Sequence, residues 1–257
     1  MPGDDLDLLI DAARAAGRIA TRFSGETALR WDKADDAGPV TEADLAVNTM
    51  LESRLRGARP GYGWLSEESE DDPARQEASR VFIVDPIDGT RSFIKGERTW
   101  AHAIAVAEQG VVTAAVIYLP MLNKLYAAAA GQGATLNGVA IHASGQAHLD
   151  GASMISARPT YLPEHWRGPV PQFKREYRPS LAYRLSLVAE GRFDAMLTLR
   201  PTWEWDVAAG DLILREAGAR TSDRRAGGLI FNNRVPQLDG VVAANPVLHE
   251  ALTGALL

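Results

Sequence analysis

The sequence contains no cysteine among its 257 residues. That absence excludes disulfides, thiolate metal sites and a cysteine nucleophile, and it fits a reducing compartment. No apolar run approaches the roughly 20 residues that a helix needs to span a bilayer, and residues 1–5 lack the basic segment of a signal peptide. We therefore expect a cytoplasmic protein that has no membrane segment.

Clusters of basic residues are also absent, and the formal net charge is −6. Because contacts to a nucleic-acid backbone need clustered Lys and Arg, we expect no nucleic-acid polymer as a partner. A small phosphate ester stays possible, since bound cations can reverse the charge of a site locally. The five histidines show no paired spacing, so a histidine-based phosphatase is not expected either. The six tryptophans lack interleaved basic clusters and are interpreted as core residues.

Hydrophobic residues make up 46% of the chain, which is enough for a substantial globular core. Apolar residues recur at three- and four-residue steps over residues 6–23, predicting an amphipathic helix that ends at Gly25. The polar residues 31–39 predict a loop. Thr41, followed three residues later by Asp44, predicts a capping box at the start of a second helix.

Strand signals dominate the middle of the chain. The apolar run 81–84 predicts a buried strand that stops at Asp85, and residues 101–129 predict a meander of three strands. Asn137-Gly138 predicts a hairpin turn. Prolines become frequent after about residue 148, which predicts an N-terminal α+β domain over 1–148 and a C-terminal α/β domain over 149–257. Helical patterns in the second half lie near 181–190, 204–217 and 246–255.

The most informative segment is the hexapeptide Asp85-Pro86-Ile87-Asp88-Gly89-Thr90. A buried strand delivers one carboxylate at its end, and a second follows three residues later. Magnesium prefers such oxygen ligands together with water and substrate phosphate, and a glycine at a helix start lets phosphate approach the backbone N–H groups. The alternative interpretation is a strand-to-helix turn in which Asp88 is a helix cap.

Three other segments add carboxylates: Val40-Thr41-Glu42-Ala43-Asp44, Ser66-Glu67-Glu68-Ser69 and Trp205-Asp206-Val207-Ala208-Ala209-Gly210. Taken singly, each has a simpler explanation, as a helix cap or a solvated loop. The four segments together occur in the order T-E-A-D, S-E-E, D-P-I-D-G-T and W-D-V-A-A-G. In that order they resemble the inositol monophosphatase family over the whole chain.

The resemblance implies an α/β fold, a layered α-β-α-β-α sandwich with the site between its halves. It also implies a phosphatase that acts on a small phosphorylated metabolite with two or three Mg²⁺, or with Mn²⁺. Glu67, Asp85 and the Ile87 carbonyl are implied ligands of the first metal. Asp85, Asp88 and Asp206 are implied ligands of the second. Inhibition by lithium and a homodimer are implied as well.

The resemblance further assigns catalytic roles. Glu67 and Thr90 would hold and activate the attacking water with support from Asp44, and the N–H groups of Gly89 and Thr90 would grip the phosphate. Two cations can activate such a water directly, so no side-chain nucleophile is required. The substrate-binding set is then Asp88, Gly89, Thr90, Arg91 and Asp206.

The substrate is suggested by departures from the inositol type. The segment 91–96, R-S-F-I-K-G, and the S-E-E sequence resemble the bisphosphate nucleotidases of the family, and no acidic residue lies between Asp194 and Glu204. We therefore expect 3′-phosphoadenosine 5′-phosphate, with Arg91 and Lys95 binding the second phosphate. Inositol 1-phosphate and histidinol phosphate are the alternatives. Other basic candidates for that phosphate are Arg178, Arg184 and Arg200.

Two other classes of protein fit the sequence less well. A haloacid dehalogenase-type phosphatase needs carboxylates two residues apart, whereas Asp85 and Asp88 are three apart. An inactive interaction protein derived from the family would be expected to have lost a ligand, yet every implied position is filled. The sequence thus favours an active enzyme.

Overall fold

The computed structural model describes residues 2–23, 28–32 and 38–257. Within these residues the α-helices are α1 (Pro2–Ala20), α2 (Glu42–Ala58), α3 (Thr90–Ile94), α4 (Leu181–Ala189), α5 (Glu204–Glu216) and α6 (Pro246–Ala255). The three helices predicted in the second half are confirmed within one residue. The first helix is confirmed too, but α1 ends at Ala20, and the predicted stop at Gly25 lies outside the described residues.

The capping box at the start of α2 is confirmed. The Asp44 side chain accepts a hydrogen bond from the Thr41 backbone N–H at 2.9 Å, and the Thr41 hydroxyl accepts one from the Asp44 N–H. The loop predicted over residues 31–39 is wrong at both ends. Strand β1 (Arg30–Asp32) pairs antiparallel with β2 (Pro39–Thr41), and residues 33–37 lie outside the described residues. The prediction failed because most of residues 31–39 are polar. The pairing sets Trp31 opposite Val40, and both residue types favour strands.

The larger sheet has the order β3-β4-β5-β6-β7-β8-β9 among the described residues. Its strands are β3 (Gly63–Ser66), β4 (Arg80–Asp88), β5 (Ala101–Glu108), β6 (Val111–Leu119), β7 (Lys124–Ala129), β8 (Ala134–Leu136) and β9 (Val139–Ala140). The predicted meander is confirmed as β5, β6 and β7. The hairpin is confirmed as well, since Asn137 and Gly138 have φ angles of 51° and 81°, as a two-residue turn of this kind requires.

The smaller sheet has the order β11-β10-β12-β16-β14 in the described part of the chain. Its strands are β10 (Ser153–Ser156), β11 (Lys174–Glu176), β12 (Ala195–Thr198), β14 (Arg220–Ser222) and β16 (Val241–Ala244), and a separate pair joins β13 (Thr202–Trp203) to β15 (Gln237–Leu238). Strand β10 is parallel to both β11 and β12. The carboxyl ends of these three strands therefore share one edge.

Alternating side chains on β4 explain the layering. Phe82 and Val84 point into a core with α1 and α2, whereas Val81 and Ile83 point into a core with α4 and α5. That second core also contains Ile155, Met196 and Val241 of the smaller sheet. Helix α6 covers the other face of the smaller sheet. The layers are thus α-β-α-β-α, as predicted from the resemblance.

Residues from both sides of position 148 share the central core. The division into domains at that position stays a prediction. No helix among the described residues combines the length and the apolar character that crossing a bilayer requires.

Candidate metal and phosphate site

The end of β4 carries two buried carboxylates. Asp85 and Asp88 are 1% and 6% exposed, and the pairing of β4 with β5 shifts register between them. The strand is therefore longer than the predicted run to residue 84, and the motif itself forms its irregular end. Gly89 follows with φ of 93°, a left-handed conformation that other residues rarely adopt, and Thr90 then begins α3.

A third carboxylate comes from the other half of the chain. Asp206 lies in the first turn of α5 and is partly buried. Asp85, Asp88 and Asp206 each offer an oxygen within 4.8 Å of the others. Glu67 lies just after β3, where its backbone N–H donates to the Val84 carbonyl at 3.2 Å. The structure thus brings together four of the residues that the motifs singled out.

Burial and mutual repulsion act strongly on these groups. Burial, together with the negative charges of Glu67 and Asp88, raises the pKa of Asp85 well above its usual value. Burial and the charge of Asp88 do the same to the pKa of Asp206. For Asp88, burial raises the pKa although hydrogen bonds from Ser180 and Ala182 oppose the rise. A cation between these carboxylates would remove the repulsion.

The surroundings of one carboxylate oxygen, Asp85 Oδ1, indicate that the residues fit a metal ion. Asp85 Oδ1 is buried and has no hydrogen-bond partner within the described residues. A buried carboxylate oxygen that receives no donor is costly unless a cation compensates it. Carboxylate oxygens are the ligands preferred by Mg²⁺ and Mn²⁺. The residues present therefore fit a hard divalent cation.

Asp88 also acts as a helix cap, although not for the helix that follows it. Its carboxylate accepts hydrogen bonds from the Ser180 hydroxyl at 2.6 Å, the Ala182 N–H at 2.6 Å and the Leu181 N–H at 3.3 Å. These donors form the start of α4, whereas the cap of α3 is Gly89. The alternative in which Asp88 caps the helix after it is therefore wrong. Asp88 instead binds the first turn of α4 and so joins the two halves of the chain.

The sequence motifs did not single out Ser180. Its position before an apolar helix is a visible cap signal. Its contact with Asp88 is not visible in the sequence, because 92 residues separate the two.

A hydroxyl and a carboxylate meet beside the cluster. Thr90 Oγ1 lies 3.1 Å from the Ile87 carbonyl oxygen and 3.4 Å from Asp44 Oδ1. The other Asp44 oxygen is bound by Thr41. The capping box of α2 therefore fixes the carboxylate that faces Thr90, and one residue serves both purposes.

His102 contacts the segment between Asp85 and Asp88 through the Pro86 carbonyl group. This residue is fully buried, and burial lowers its pKa to about 4, so the ring is neutral. Its Nδ1–H donates to the Pro86 carbonyl oxygen. His102 is therefore a structural residue of this loop.

The basic candidates divide into two groups. Arg91 on α3 and Lys95 just after it are exposed and form no salt bridge with any described residue. Arg184 is buried, and its charge acts on Asp88, while the charge of Arg200 acts on Asp206. The positive charges of Arg184 and Arg200 thus oppose the rise in the pKa of Asp88 and of Asp206, respectively.

Glu204 does not take part in the cluster. It is fully buried and accepts hydrogen bonds from the N–H groups of Asn232 and Asn233, at 2.6 and 2.9 Å. It therefore anchors a loop to the start of α5. The acidic residue nearest to the W-D sequence is not available to recognise substrate hydroxyls.

Comparisons with known proteins agree with this geometry. The sequence model described as "Inositol monophosphatase family" matches residues 5–257. The chain is 33% identical to an inositol-1-monophosphatase of Mesorhizobium japonicum, covering 98% of this chain and 95% of the relative. It is 36% identical to a histidinol-phosphatase of Mycobacterium tuberculosis, covering 97% and 96%. The solved structure of an IMPase from Thermotoga maritima superposes with a TM-score of 0.84 at 26% identity, covering 98% and 96%. The chain therefore belongs to the inositol monophosphatase family and is a phosphatase.

Proposed function

We propose that the chain is a Mg²⁺-dependent phosphatase whose substrate is 3′-phosphoadenosine 5′-phosphate, a small ester with a second phosphate. The metal dependence rests on one observation above all. Asp85 Oδ1 is buried without a partner among the described residues, next to carboxylates from both halves of the chain. A cation would compensate the negative charge of these carboxylates and the missing hydrogen bond at neutral pH.

The two ligand sets are those that the family resemblance implies. Glu67, Asp85 and the Ile87 carbonyl would hold one cation, and Asp85, Asp88 and Asp206 would hold another. Mg²⁺, or Mn²⁺ in its place, would lower the pKa of bound water and neutralise charge on the phosphate. Asp85, whose pKa is raised by burial and by the charges of Glu67, Asp88 and Asp206, would belong to both ligand sets.

The remaining groups orient the attack. Glu67 and Thr90 would hold the water, and the Thr90 hydroxyl would donate to Asp44 while it accepts a hydrogen bond from that water. The N–H groups of Gly89 and Thr90 stand at the first turn of α3, where backbone donors lack intrahelical partners. They would hold the phosphate oxygens in line with the water.

The identity of the substrate rests on charge near the cluster. Relatives named for inositol phosphate and for histidinol phosphate are about equally similar, at 33% and 36% identity, so similarity alone does not choose. Arg184 and Arg200 supply positive charge beside Asp88 and Asp206, and Glu204 is engaged elsewhere. Both features favour a substrate with additional negative charge over one recognised through neutral hydroxyls.

A side-by-side panel tests the substrate. We expect kcat/KM to be highest for 3′-phosphoadenosine 5′-phosphate, above inositol 1-phosphate, histidinol phosphate and fructose 1,6-bisphosphate. A desolvated charge-assisted contact contributes about 1.5–3 kcal/mol, which is roughly one to two decades in affinity. Inositol 1-phosphate or histidinol phosphate at the top of the ranking would contradict the substrate and leave the phosphatase in place. Lithium inhibition and the homodimer stay predictions from the family resemblance.

A further inference from the structure

A cavity of about 790 Å³ lies at the edge of the smaller sheet. Its lining includes Ser156, Arg158, Tyr161, Arg175, Glu176 and Tyr177. Strands β10 and β11 are parallel, and the cavity lies where both end. Strand β12 ends at the same edge and leads through Arg200 to the helix that carries Asp206. Ligands of α/β proteins commonly bind at such an edge, beyond the carboxyl ends of parallel strands.

The chain itself connects this cavity to the metal and phosphate site. Tyr177 lines the cavity, and Ser180, three residues later, donates to Asp88 at 2.6 Å. Because a residue spans at most about 3.6 Å, the Cα atoms of Tyr177 and Ser180 lie within about 11 Å of each other. The guanidinium of Arg184, which acts on Asp88, also lies 4.5 Å from the centroid of the Tyr177 ring. The cavity therefore adjoins the carboxylate cluster.

The charges in the cavity favour an anion. Arg158 and Arg175 are exposed, and neither forms a salt bridge with a residue that the structure describes. Glu176 is the acidic residue of the lining, and it is paired with Arg178 at 3.3 Å. Two guanidinium groups thus face the cavity without a carboxylate to neutralise them. Guanidinium groups suit phosphate because they offer paired donors in a planar fork.

The aromatic rings add a second recognition element. Arg175 lies 4.4 Å from the centroid of the Tyr161 ring, which holds its guanidinium over that ring. Tyr177 is 52% exposed, with Arg184 stacked on it. An exposed ring beside free cations suits a flat heteroaromatic group, since stacking of such rings is favourable.

We propose that this cavity binds the part of the substrate beyond the scissile phosphate. Arg158 and Arg175 contact the second phosphate, and Tyr177 stacks on the heteroaromatic base. This assignment rests on the proposed function, because it concerns the same substrate. It replaces Arg91 and Lys95, the residues expected from the sequence, as the specificity-determining residues for the second phosphate.

The test combines kinetics with direct binding. Arg158→Ala, Arg175→Ala and the double variant are compared with Arg54→Ala, an exposed arginine on α2 that serves as the matched control. For 3′-phosphoadenosine 5′-phosphate we expect KM to rise about tenfold to a hundredfold per lost contact, with kcat little changed. Calorimetry should show that wild-type protein binds adenosine 5′-phosphate more tightly than adenosine. In the double variant that difference should disappear.

Tyr177 is tested by its own pair of variants. Tyr177→Phe keeps the ring and should retain the wild-type KM, whereas Tyr177→Ala should raise it. Thermal melting verifies that each variant is folded. If Tyr177→Phe and Tyr177→Ala have the same KM, Tyr177 does not stack on the base.

The outcomes separate this inference from the proposed function. If wild-type protein prefers the bisphosphate nucleotide but the double arginine variant keeps its KM and its adenosine 5′-phosphate affinity, the cavity is not the subsite and the substrate assignment stands. If wild-type protein shows no preference for the nucleotide over inositol 1-phosphate, the proposed substrate and the proposed subsite are both wrong.

Discussion

The carboxyl of Asp85 determines how the site responds to pH. Its pKa is raised in the folded chain by burial and by neighbouring negative charge, and the pKa of Asp206 is raised similarly. A carboxyl whose folded pKa exceeds its unfolded value stabilises the metal-free fold at low pH. This stabilisation is lost as the pH rises through the unfolded and then the folded pKa. Metal binding has the opposite dependence, because ligands must be deprotonated.

Mg²⁺ should therefore raise the melting temperature more at about pH 8 than at about pH 6. Thermal melting with and without Mg²⁺ at the two pH values measures the effect. Asp11→Asn, which removes an exposed carboxyl of α1, is the control and should keep the wild-type difference. An increment that is the same at both pH values would contradict this coupling between metal binding and the titration of the buried carboxyls.

At the scale of residues, the sequence predicted those site residues that belong to local motifs. The D-P-I-D-G-T segment and the W-D sequence identified Asp85, Asp88 and Asp206, which the structure brings together. It could not predict contacts between distant segments. Ser180 on Asp88 is one such contact, and Glu204 on Asn233 is another.

Among elements, helix α4 links the site to the second half of the chain. Its cap residue Ser180 accepts from the Tyr183 N–H at 3.0 Å and donates to Asp88 at 2.6 Å. Ser180→Ala should lower the free energy of unfolding by about 1–2 kcal/mol, the usual cost of losing a helix cap. It should also lower kcat/KM, because Asp88 loses a donor. Urea denaturation and steady-state kinetics check the two effects.

Ser53→Ala is the matched control, since Ser53 is exposed on α2. Exposed substitutions of this kind usually change stability by no more than about 0.5 kcal/mol. Equal stability of the two variants would show that α4 does not depend on its contact with Asp88.

Elements were predictable where periodicity or turn chemistry was strong. The capping box of α2 and the Asn137-Gly138 hairpin are confirmed, since each depends on neighbouring residues. The pairing of Trp31 with Val40 was missed, because the polar residues between them concealed two short strands.

For the whole molecule, the layering was predicted through the family resemblance rather than through periodicity. Periodicity predicts that β4 is buried, but it does not say which helices cover each face. The resemblance also implies a homodimer. Light scattering should then give about twice the single-chain mass of 27.7 kDa. A mass near 27.7 kDa that persists as concentration rises would contradict it.

The central claim is that a buried carboxylate cluster binds the metal on which catalysis depends. The most direct test is phosphate release by metal-stripped protein titrated with Mg²⁺, with wild type and Asp85→Asn side by side. Wild-type activity should be lost on stripping and return with Mg²⁺, while Asp85→Asn should stay at least about 100-fold lower. The variant should melt no earlier than metal-free wild type, because it removes a buried like charge. Full activity of the stripped wild-type protein, or normal activity of Asp85→Asn, would contradict the account.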